Sequence, residues 1–319
     1  MDGLLEFSPV VSSLAAQRTI KSPIGCRGIG LHSGLRVAMT LHPAPAGHGI
    51  VFRRADLGID IPARFDHVAE TQLCTSLAHP GHGEARIGTI EHLMAALGGC
   101  GIDNLLVELD GPELPILDGS ASPLVFLLDC AGIVEQPVER AVIEVLRPVR
   151  VANGASFAEL RPGSFGFEMA LSIEFDDTPI GRQALSLSLS EAIFRRELAF
   201  ARTFTRACDV ERLQAAGLAK GGSLSNAVVV DDARVLNPAG LRMPDEFVRH
   251  KLLDVVGDMA LAGAPIRGRF IGHRSGHGMN NQLLRALFAD STAYRWVSSG
   301  ASHPVGISGL QLSAAAAPA

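Results

Sequence analysis

This sequence has few cysteines, and none of them are paired along the chain. Its 319 residues include five cysteines, each isolated, and no C-x-x-C pair occurs. A sulfur-ligated zinc site or a disulfide framework would need cysteines at closer, repeated spacings, so neither is predicted. Isolated cysteines are typical of a reducing compartment.

Basic clusters and long apolar runs are also missing. Lys and Arg total 28 against 33 Asp and Glu, for a net charge of −5, and no basic run could neutralise a nucleic-acid backbone. The most apolar stretch, residues 124–134, contains Asp129 and is shorter than the roughly 18 residues that span a bilayer. The first residues lack the basic segment and apolar core of a signal peptide. We therefore expect a cytoplasmic protein without a nucleic-acid partner or transmembrane segment.

The length favours about two domains, because a single core rarely grows to 319 residues. Residues 1–17 and the Ala-rich end, residues 311–319, are predicted to be flexible extensions. The segment VEQP at 134–137 is predicted to be a linker. The predicted domains are therefore residues 18–137 and residues 138–310.

Short β-rich runs separated by Gly and Pro dominate both halves, which favours antiparallel sheets and an α+β fold. We predict helices over residues 89–97, 123–130, 245–262 and 279–288. Thr89 is the predicted N-cap of the first helix, and Gly98 the residue that follows its end. Strands are predicted over residues 35–41, 50–53, 104–109, 141–151, 166–175 and 185–189.

The helix predicted over residues 245–262 carries His250, Asp254 and Asp258 at spacings of four residues. Such residues lie on one stripe of a helix, and the apolar neighbours indicate that this helix is buried. Three buried ionisable groups need partners or a metal. The alternative is a solvated helix face with a His–Asp pair.

Two further segments carry candidate groups. Glu91 and His92 are adjacent at the start of their helix, so they point about 100° apart. If His92 binds a metal, Glu91 can reach water beside that metal. His277 lies in a Gly/Ser-rich segment, HRSGHG at 273–278, which is predicted to be a loop where an imidazole is free to act as acid or base. Neither segment is specific by itself. G-x-S-x-G and H-E-x-x-H do not occur.

Taken together, these segments resemble the UDP-3-O-acyl-N-acetylglucosamine deacetylases, the enzyme family that makes the lipid A anchor of Gram-negative bacteria. The resemblance rests on TIEHL at 89–93, HKLLDVVGD at 250–258 and SGH at 275–277. It extends to GLHSG at 30–34, LCT at 73–75, GIDN at 101–104, PILDGS at 115–120, ARTF at 201–204 and GGS at 221–223.

The resemblance implies two similar α+β sandwich domains whose sheets face inward around helices, with a zinc site at their junction. His92, His250 and Asp254 would be the metal ligands. Zinc is the expected metal, and iron(II) is the alternative in vivo. Three such ligands leave a fourth position for water in a catalytic zinc site.

Catalytic roles are implied in the same way. Glu91 would be the general base, and His277 the cationic acid that stabilises the oxyanion and protonates the leaving amine. Thr203 would donate its hydroxyl to the same oxyanion, and Asp258 would orient His277.

Phe204, Lys251, His32 and Gly222 would contact the substrate, an acylated UDP-N-acetylglucosamine. An insert at residues 207–226 would bind its acyl chain, although Ala219-Lys220 is less apolar than the family pattern. We expect a monomer. Two alternatives are a metal-free protein that only binds a nucleotide sugar, and a dehydratase that uses a His–carboxylate pair without metal.

Overall fold

The computed structural model of this chain describes residues 15–298, apart from residue 177 and residues 232–233. The strands in this part of the chain are β1 Ala16–Ile20, β2 Ile24–Ile29, β3 Arg36–Pro43, β4 Ile50–Arg54, β5 Ile59–Pro62, β6 Val68–Glu70, β7 Ser76–His79, β8 His82–Ile87, β9 Leu105–Leu109, β10 Ile133–Glu139, β11 Val142–Val145, β12 Val149–Asn153, β13 Ser156–Arg161, β14 Phe167–Phe175, β15 Gly181–Leu189, β16 Phe204–Arg206, β17 Val228–Val230, β18 Ile266–His273 and β19 Tyr294–Val297. The α-helices are α1 Glu91–Cys100, α2 Ser122–Ala131, α3 Glu191–Ile193, α4 Ala207–Ala215, α5 Glu246–Ala260 and α6 His277–Ala289, with a 3₁₀ turn at Phe65–His67 and a π turn at Phe194–Leu198.

The first half of the chain is built on a five-stranded sheet with the strand order β2-β3-β9-β4-β5. Its neighbours are antiparallel except β4 and β9, which are parallel. Along β3, Val37, Met39 and Leu41 are buried, and the residues between them are less buried. This alternation is the period of two expected for a strand with one face on the core. A three-stranded sheet, β6-β7-β8, and the pair β1-β10 complete this half.

The second half is built on a seven-stranded sheet. Its main path is β12-β13-β18-β11-β19, and β14 joins at β18 and carries β15. Strand β18 is central, because it pairs with β11, β13 and β14. The observed mixture of helices and largely antiparallel sheets confirms the predicted α+β fold. No helix among the described residues is long and apolar enough to cross a membrane.

Helices α1 and α5 lie against each other in the shared core. Helix α1 is buried along almost its whole length, and α5 also contacts β14, β15 and α6. Small residues allow the close approach. A Cβ atom on Gly257 of α5 would lie 2.1 Å from the carbonyl oxygen of Glu91 on α1, and one on Gly98 would lie 3.3 Å from Cβ of Ala260. The two helices that carry the candidate residues are thus packed backbone to backbone.

The predicted ends of the first helix were wrong. Thr89 is not the N-cap: it has φ of 57°, and its hydroxyl donates to Glu113, so α1 begins at Glu91. The helix does not stop at Gly98 but continues to Cys100, and Gly101 takes the left-handed conformation, with φ of 68°, that ends it. The helix can continue because Gly98 fits against α5.

Four other predictions needed correction. The linker predicted at residues 134–137 lies in β10, which pairs with β1. The flexible extension predicted to end at residue 17 overlaps β1 at residues 16–17. The single strand predicted over residues 141–151 is two strands, separated at residues 146–148, where Pro148 lacks the N–H that a ladder needs. The loop predicted at residues 273–278 ends at Gly276, and His277 is the first residue of α6.

Several predicted boundaries remain open. Residues 1–14 and the predicted tail, residues 311–319, lie outside the described residues. The domain boundary at residues 137–138 stays a prediction.

The backbone contact between α1 and α5 makes Gly257 sensitive to substitution. We expect Gly257→Ala to lower the free energy of unfolding by about 2 kcal/mol, because the new Cβ forces the helices apart. Helix propensity by itself favours alanine over glycine by about 1 kcal/mol. A loss of stability in Gly257→Ala would therefore be due to the helix contact and not to helix propensity. Urea unfolding measures the change, with Gly83→Ala as the control, since a Cβ there meets no atom within 4 Å. A Gly257→Ala protein as stable as the parent would contradict the role of this contact.

Candidate metal centre

Three predicted ligands come together where α1 and α5 meet. His92 is the second residue of α1, and His250 and Asp254 lie one turn apart on α5. One ligand atom from each residue lies within 4.8 Å of the others, and all three residues are buried. The Oδ1 atom of Asp254 is 3.5 Å from Nε2 of His250 and 4.0 Å from Nε2 of His92. The structure thus brings together the three residues that the family resemblance implied.

The protonation states of the cluster suit a divalent cation. Burial lowers the pKa of His92 to about 3, helped by the neighbouring His250, and burial also lowers the pKa of His250. Both imidazoles are therefore neutral and offer a lone pair. Burial pushes the pKa of Asp254 upward, but the neighbouring positive charges, that of Lys251 above all, outweigh it and hold that pKa below its usual range. The set is two neutral nitrogen ligands and one carboxylate, as in catalytic zinc sites.

Two hydrogen-bonding features also fit a metal. Nδ1 of His250 lies 3.1 Å from the carbonyl oxygen of Ala201, so it carries the proton and leaves Nε2 facing Asp254. The Oδ1 atom of Asp254 is buried without a hydrogen-bond donor. An unpaired buried carboxylate oxygen is costly unless a cation compensates it. The residues present therefore fit a bound divalent metal.

Glu91 lies beside this cluster as the first residue of α1. Its Oε2 atom accepts a hydrogen bond from the backbone N–H of Thr75 at 3.0 Å. Its Oε1 atom lies 3.9 Å from Nε2 of His277. Burial raises the pKa of Glu91 to about 7, against the opposing charge of His277. This places its proton affinity in the range that suits a general base near neutral pH.

His277 is held by Asp258. Nδ1 of His277 donates to Oδ2 of Asp258 at 2.9 Å, and Asp258 also accepts from the Thr75 hydroxyl at 2.7 Å and from the Asn280 amide at 2.8 Å. Burial lowers the pKa of His277, but Asp258 outweighs it and raises that pKa to about 9. His277 is therefore an imidazolium near neutral pH, with Nε2 turned toward Glu91 and Asp254.

Each of residues 201–203, beside the cluster, is held by hydrogen bonds. The Ala201 carbonyl accepts from His250, and the Thr203 N–H donates to the Gly119 carbonyl at 2.8 Å. Between them, the backbone N–H and guanidinium of Arg202 donate to the fully buried carboxylate of Glu246. This ion pair ties the segment to α5, one turn before His250.

A cavity of about 420 Å³ opens beside the cluster. Seven of the predicted site residues line it: Glu91, Thr203, Phe204, His250, Lys251, Asp254 and His277. This volume is within the usual range for small-molecule sites. An adjoining cavity of about 470 Å³ is lined by charged residues that include Arg206, Lys251, Arg274 and Glu174.

The predicted substrate-contacting residues divide into two pairs. Phe204 and Lys251 line the cavity: the Phe204 ring is 6.1 Å from that of His250, and Nζ of Lys251 is 2.8 Å from Oδ2 of Asp254. His32 and Gly222 do not line it. Their loops are joined to each other, because the N–H of Lys220 donates to the His32 carbonyl.

Sequence reasoning missed several residues that hold the site. Thr75 bonds to Glu91 and Asp258, Asn280 bonds to Asp258, and Glu246 clamps Arg202. Thr75 was visible only as the last residue of the LCT motif. Asn280 lies three residues after His277 and could have been found from helical spacing, had His277 been placed in the helix.

Comparison with known proteins identifies the family. The family model described as UDP-3-O-acyl N-acetylglycosamine deacetylase matches residues 17–289. The chain is 50% identical over 281 residues to the UDP-3-O-acyl-N-acetylglucosamine deacetylase of Anaeromyxobacter dehalogenans, covering 88% of this chain and 90% of the relative. It is 48% identical over 286 residues to the enzyme of that name from Stenotrophomonas maltophilia, covering 88% and 93%. For the Myxococcus xanthus enzyme of that name the identity is 47% over 283 residues, covering 88% and 89%.

The matched region contains both helices of the buried His–His–Asp cluster and the start of α6 with His277. On these matches, the chain belongs to the UDP-3-O-acyl-N-acetylglucosamine deacetylase family.

Proposed function

We propose that this chain hydrolyses the N-acetyl group of UDP-3-O-acyl-N-acetylglucosamine, releasing acetate and the free amine, as a step in lipid A biosynthesis. The observation that carries the proposal is the buried cluster of His92, His250 and Asp254, with Glu91 and His277 beside it. Family membership supplies the substrate class.

We propose zinc as the metal held by His92, His250 and Asp254, with iron(II) as the alternative in vivo. When bound, such an ion polarises a carbonyl and lowers the pKa of water at its open position.

The chain's own residues would move the protons. The Oε1 atom of Glu91 would take a proton from the attacking water as its oxygen bonds to the acetyl carbon. The Nε2–H of His277, with the Thr203 hydroxyl, would stabilise the negative charge on the carbonyl oxygen. His277 would then donate its proton to the nitrogen as the C–N bond breaks. Asp258 would keep His277 charged until that step.

The surroundings suit a nucleotide-sugar substrate. We propose that Phe204 packs against the sugar, and that cations in the adjoining cavity, including Lys251 and Arg274, approach the diphosphate. His32 and Gly222 lie outside the cavity, so their contacts would involve a more distant part of the substrate. The insert at residues 207–226, which includes α4, would bind the acyl chain.

Three further proposals concern the whole chain. We propose that the protein acts as a monomer. The five free cysteines support a cytoplasmic location. We also propose that the two domains meet at residues 137–138.

Two other functions would use the same residues differently. A protein that only binds a nucleotide sugar has no need of a buried His–His–Asp cluster or of Glu91. A dehydratase would use Glu91 and His277 without metal. Metal content and product identity separate both from a deacetylase.

The decisive assay is acetate release from UDP-3-O-acyl-N-acetylglucosamine, with and without a chelator. We expect release that stops when the metal is removed and returns when zinc is added back. UDP-N-acetylglucosamine without the acyl group is the matched control substrate and should react far more slowly. Acetate release that is indifferent to the chelator would exclude the metal-dependent mechanism.

Loss of a ligand and loss of the base should have different effects. We expect His92→Ala and Asp254→Ala to lose the metal, because each removes a ligand. Glu91→Ala should keep about one metal per chain and lose on the order of 10²-fold or more in kcat, the usual contribution of a general base. His67→Ala, a histidine outside the cavity, is the control. Metal analysis and kcat measure the two effects, and a fully active Glu91→Ala enzyme would refute the role of Glu91.

The Asp258–His277 pair should be visible in the pH dependence. The Asp258 carboxylate raises the pKa of His277, so Asp258→Asn should lower that pKa. Since His277 acts as the cation, the alkaline limb of kcat/KM should move to lower pH, with metal content unchanged. Asp245→Asn, the same change at the start of α5, should leave both limbs in place. Superimposable profiles for Asp258→Asn and the parent would show that Asp258 has no electrostatic effect on His277.

A further inference from the structure

Thr75 contacts both sides of the candidate catalytic site. It is 1% exposed and lies immediately before β7 in the first half of the chain. Its N–H donates to Oε2 of Glu91 at 3.0 Å, and its carbonyl accepts from the N–H of Ile90 at 3.2 Å. Its hydroxyl donates to Oδ1 of Asp258 on α5 at 2.7 Å. The backbone of Thr75 therefore holds the start of α1, and its side chain holds α5.

These bonds determine which oxygen each carboxylate presents. With Oε2 of Glu91 bonded to Thr75, Oε1 is the atom that faces His277. With Oδ1 of Asp258 bonded to the hydroxyl, Oδ2 is the atom at 2.9 Å from Nδ1 of His277. Thr75 thus fixes the orientation of both carboxylates.

Glu91 and His277 are not held by each other. Their closest nitrogen and oxygen atoms are 3.9 Å apart, beyond hydrogen-bond distance. They also begin different helices, α1 and α6. Thr75 bonds both to Glu91 and, through Asp258, to the Asp258–His277 pair, so it links the two groups that do not bond to each other.

We propose that Thr75 is a positioning residue that sets the general base, Glu91, and the acid pair, Asp258–His277, in register across the two halves of the chain. This inference rests on the proposed function for the roles of Glu91 and His277. Thr75 itself does not line the cavity beside the cluster. Its hydroxyl is the part that can be removed without disturbing the backbone bonds to α1.

Thr75→Val removes the hydroxyl and keeps the shape of the side chain. We expect kcat to fall about 10-fold, the effect of losing one hydrogen bond to a charged group, while KM stays within about 2-fold and metal content is unchanged. Thr75→Ser restores the hydroxyl and should recover most of the activity. Thr19→Val is the matched control, because Thr19 is also buried and its hydroxyl donates to the Asn104 carbonyl at 2.7 Å. It should lose comparable stability without losing kcat.

The second readout does not depend on acetate release. In protein labelled with ¹⁵N-histidine, the Nδ1–H signal of His277 can be assigned by its loss in Asp258→Asn. We expect this signal to shift in Thr75→Val and to return toward the parent position in Thr75→Ser. If Thr75→Val does not fold, Thr75→Ala gives the same test without placing a methyl group against Asp258.

The outcomes separate the two proposals. An unshifted signal together with unchanged kcat in the hydroxyl-less variants would overturn the role of Thr75. Equal losses in Thr75→Val and Thr75→Ser would also overturn it, because the hydroxyl would not be the cause. If the parent releases no acetate, the proposed function fails, and the histidine signal alone decides whether Thr75 positions the Asp258–His277 pair.

Discussion

The close contact between α1 and α5 is the constraint on which the candidate metal centre depends. His92 is on one helix, and His250 and Asp254 are on the other, so the distance between the helices sets the distance between the ligands. Gly257 lies at this contact and has no side chain to separate the backbones. Both helices are buried in one hydrophobic core, so a change that moves either helix changes the ligand spacing. The packing of α1 against α5 therefore determines the geometry of the candidate metal centre.

The second constraint is the cost of burying charge. Each buried ion costs several kcal/mol of folding free energy unless it is paired. Four ionisable side chains lie buried or partly buried beside one another in this site: Asp254, Asp258, His277 and Lys251. Pairs of opposite charge offset this cost: Lys251 forms an ion pair with Asp254, and His277 forms one with Asp258. This arrangement leaves Oδ1 of Asp254 and Nε2 of His277 without a hydrogen-bond partner among the described residues, and these are the two atoms that the proposed function uses. The ion pairs therefore determine which side-chain atoms of the site remain free to bind other groups.

Helical spacing explains why part of this site could be predicted from the sequence. Residues four positions apart lie on one stripe of a helix in any tertiary arrangement, so the common stripe of His250, Asp254 and Asp258 could be predicted from helical period alone. Contacts between distant segments do not leave such a signal. The left-handed backbone of Thr89, the bridge made by Thr75 and the bond from Lys251 to Asp254 all depend on how elements meet in space. His277 was assigned to a loop because glycines flank it, although its helix begins there.

The pairing of β1 with β10 has a consequence for the path of the chain. The chain enters the first half along β1 and leaves it along the neighbouring strand, with Ile20 opposite Ile133 and the N–H of Arg140 bonded to the carbonyl of Ala15. The strands that begin and end the first half of the chain are therefore neighbours. A unit with adjacent ends tolerates circular permutation, because joining them needs only a short connection. The exposed turn at residues 56–58, between β4 and β5, offers a place for new termini far along the chain from both candidate helices.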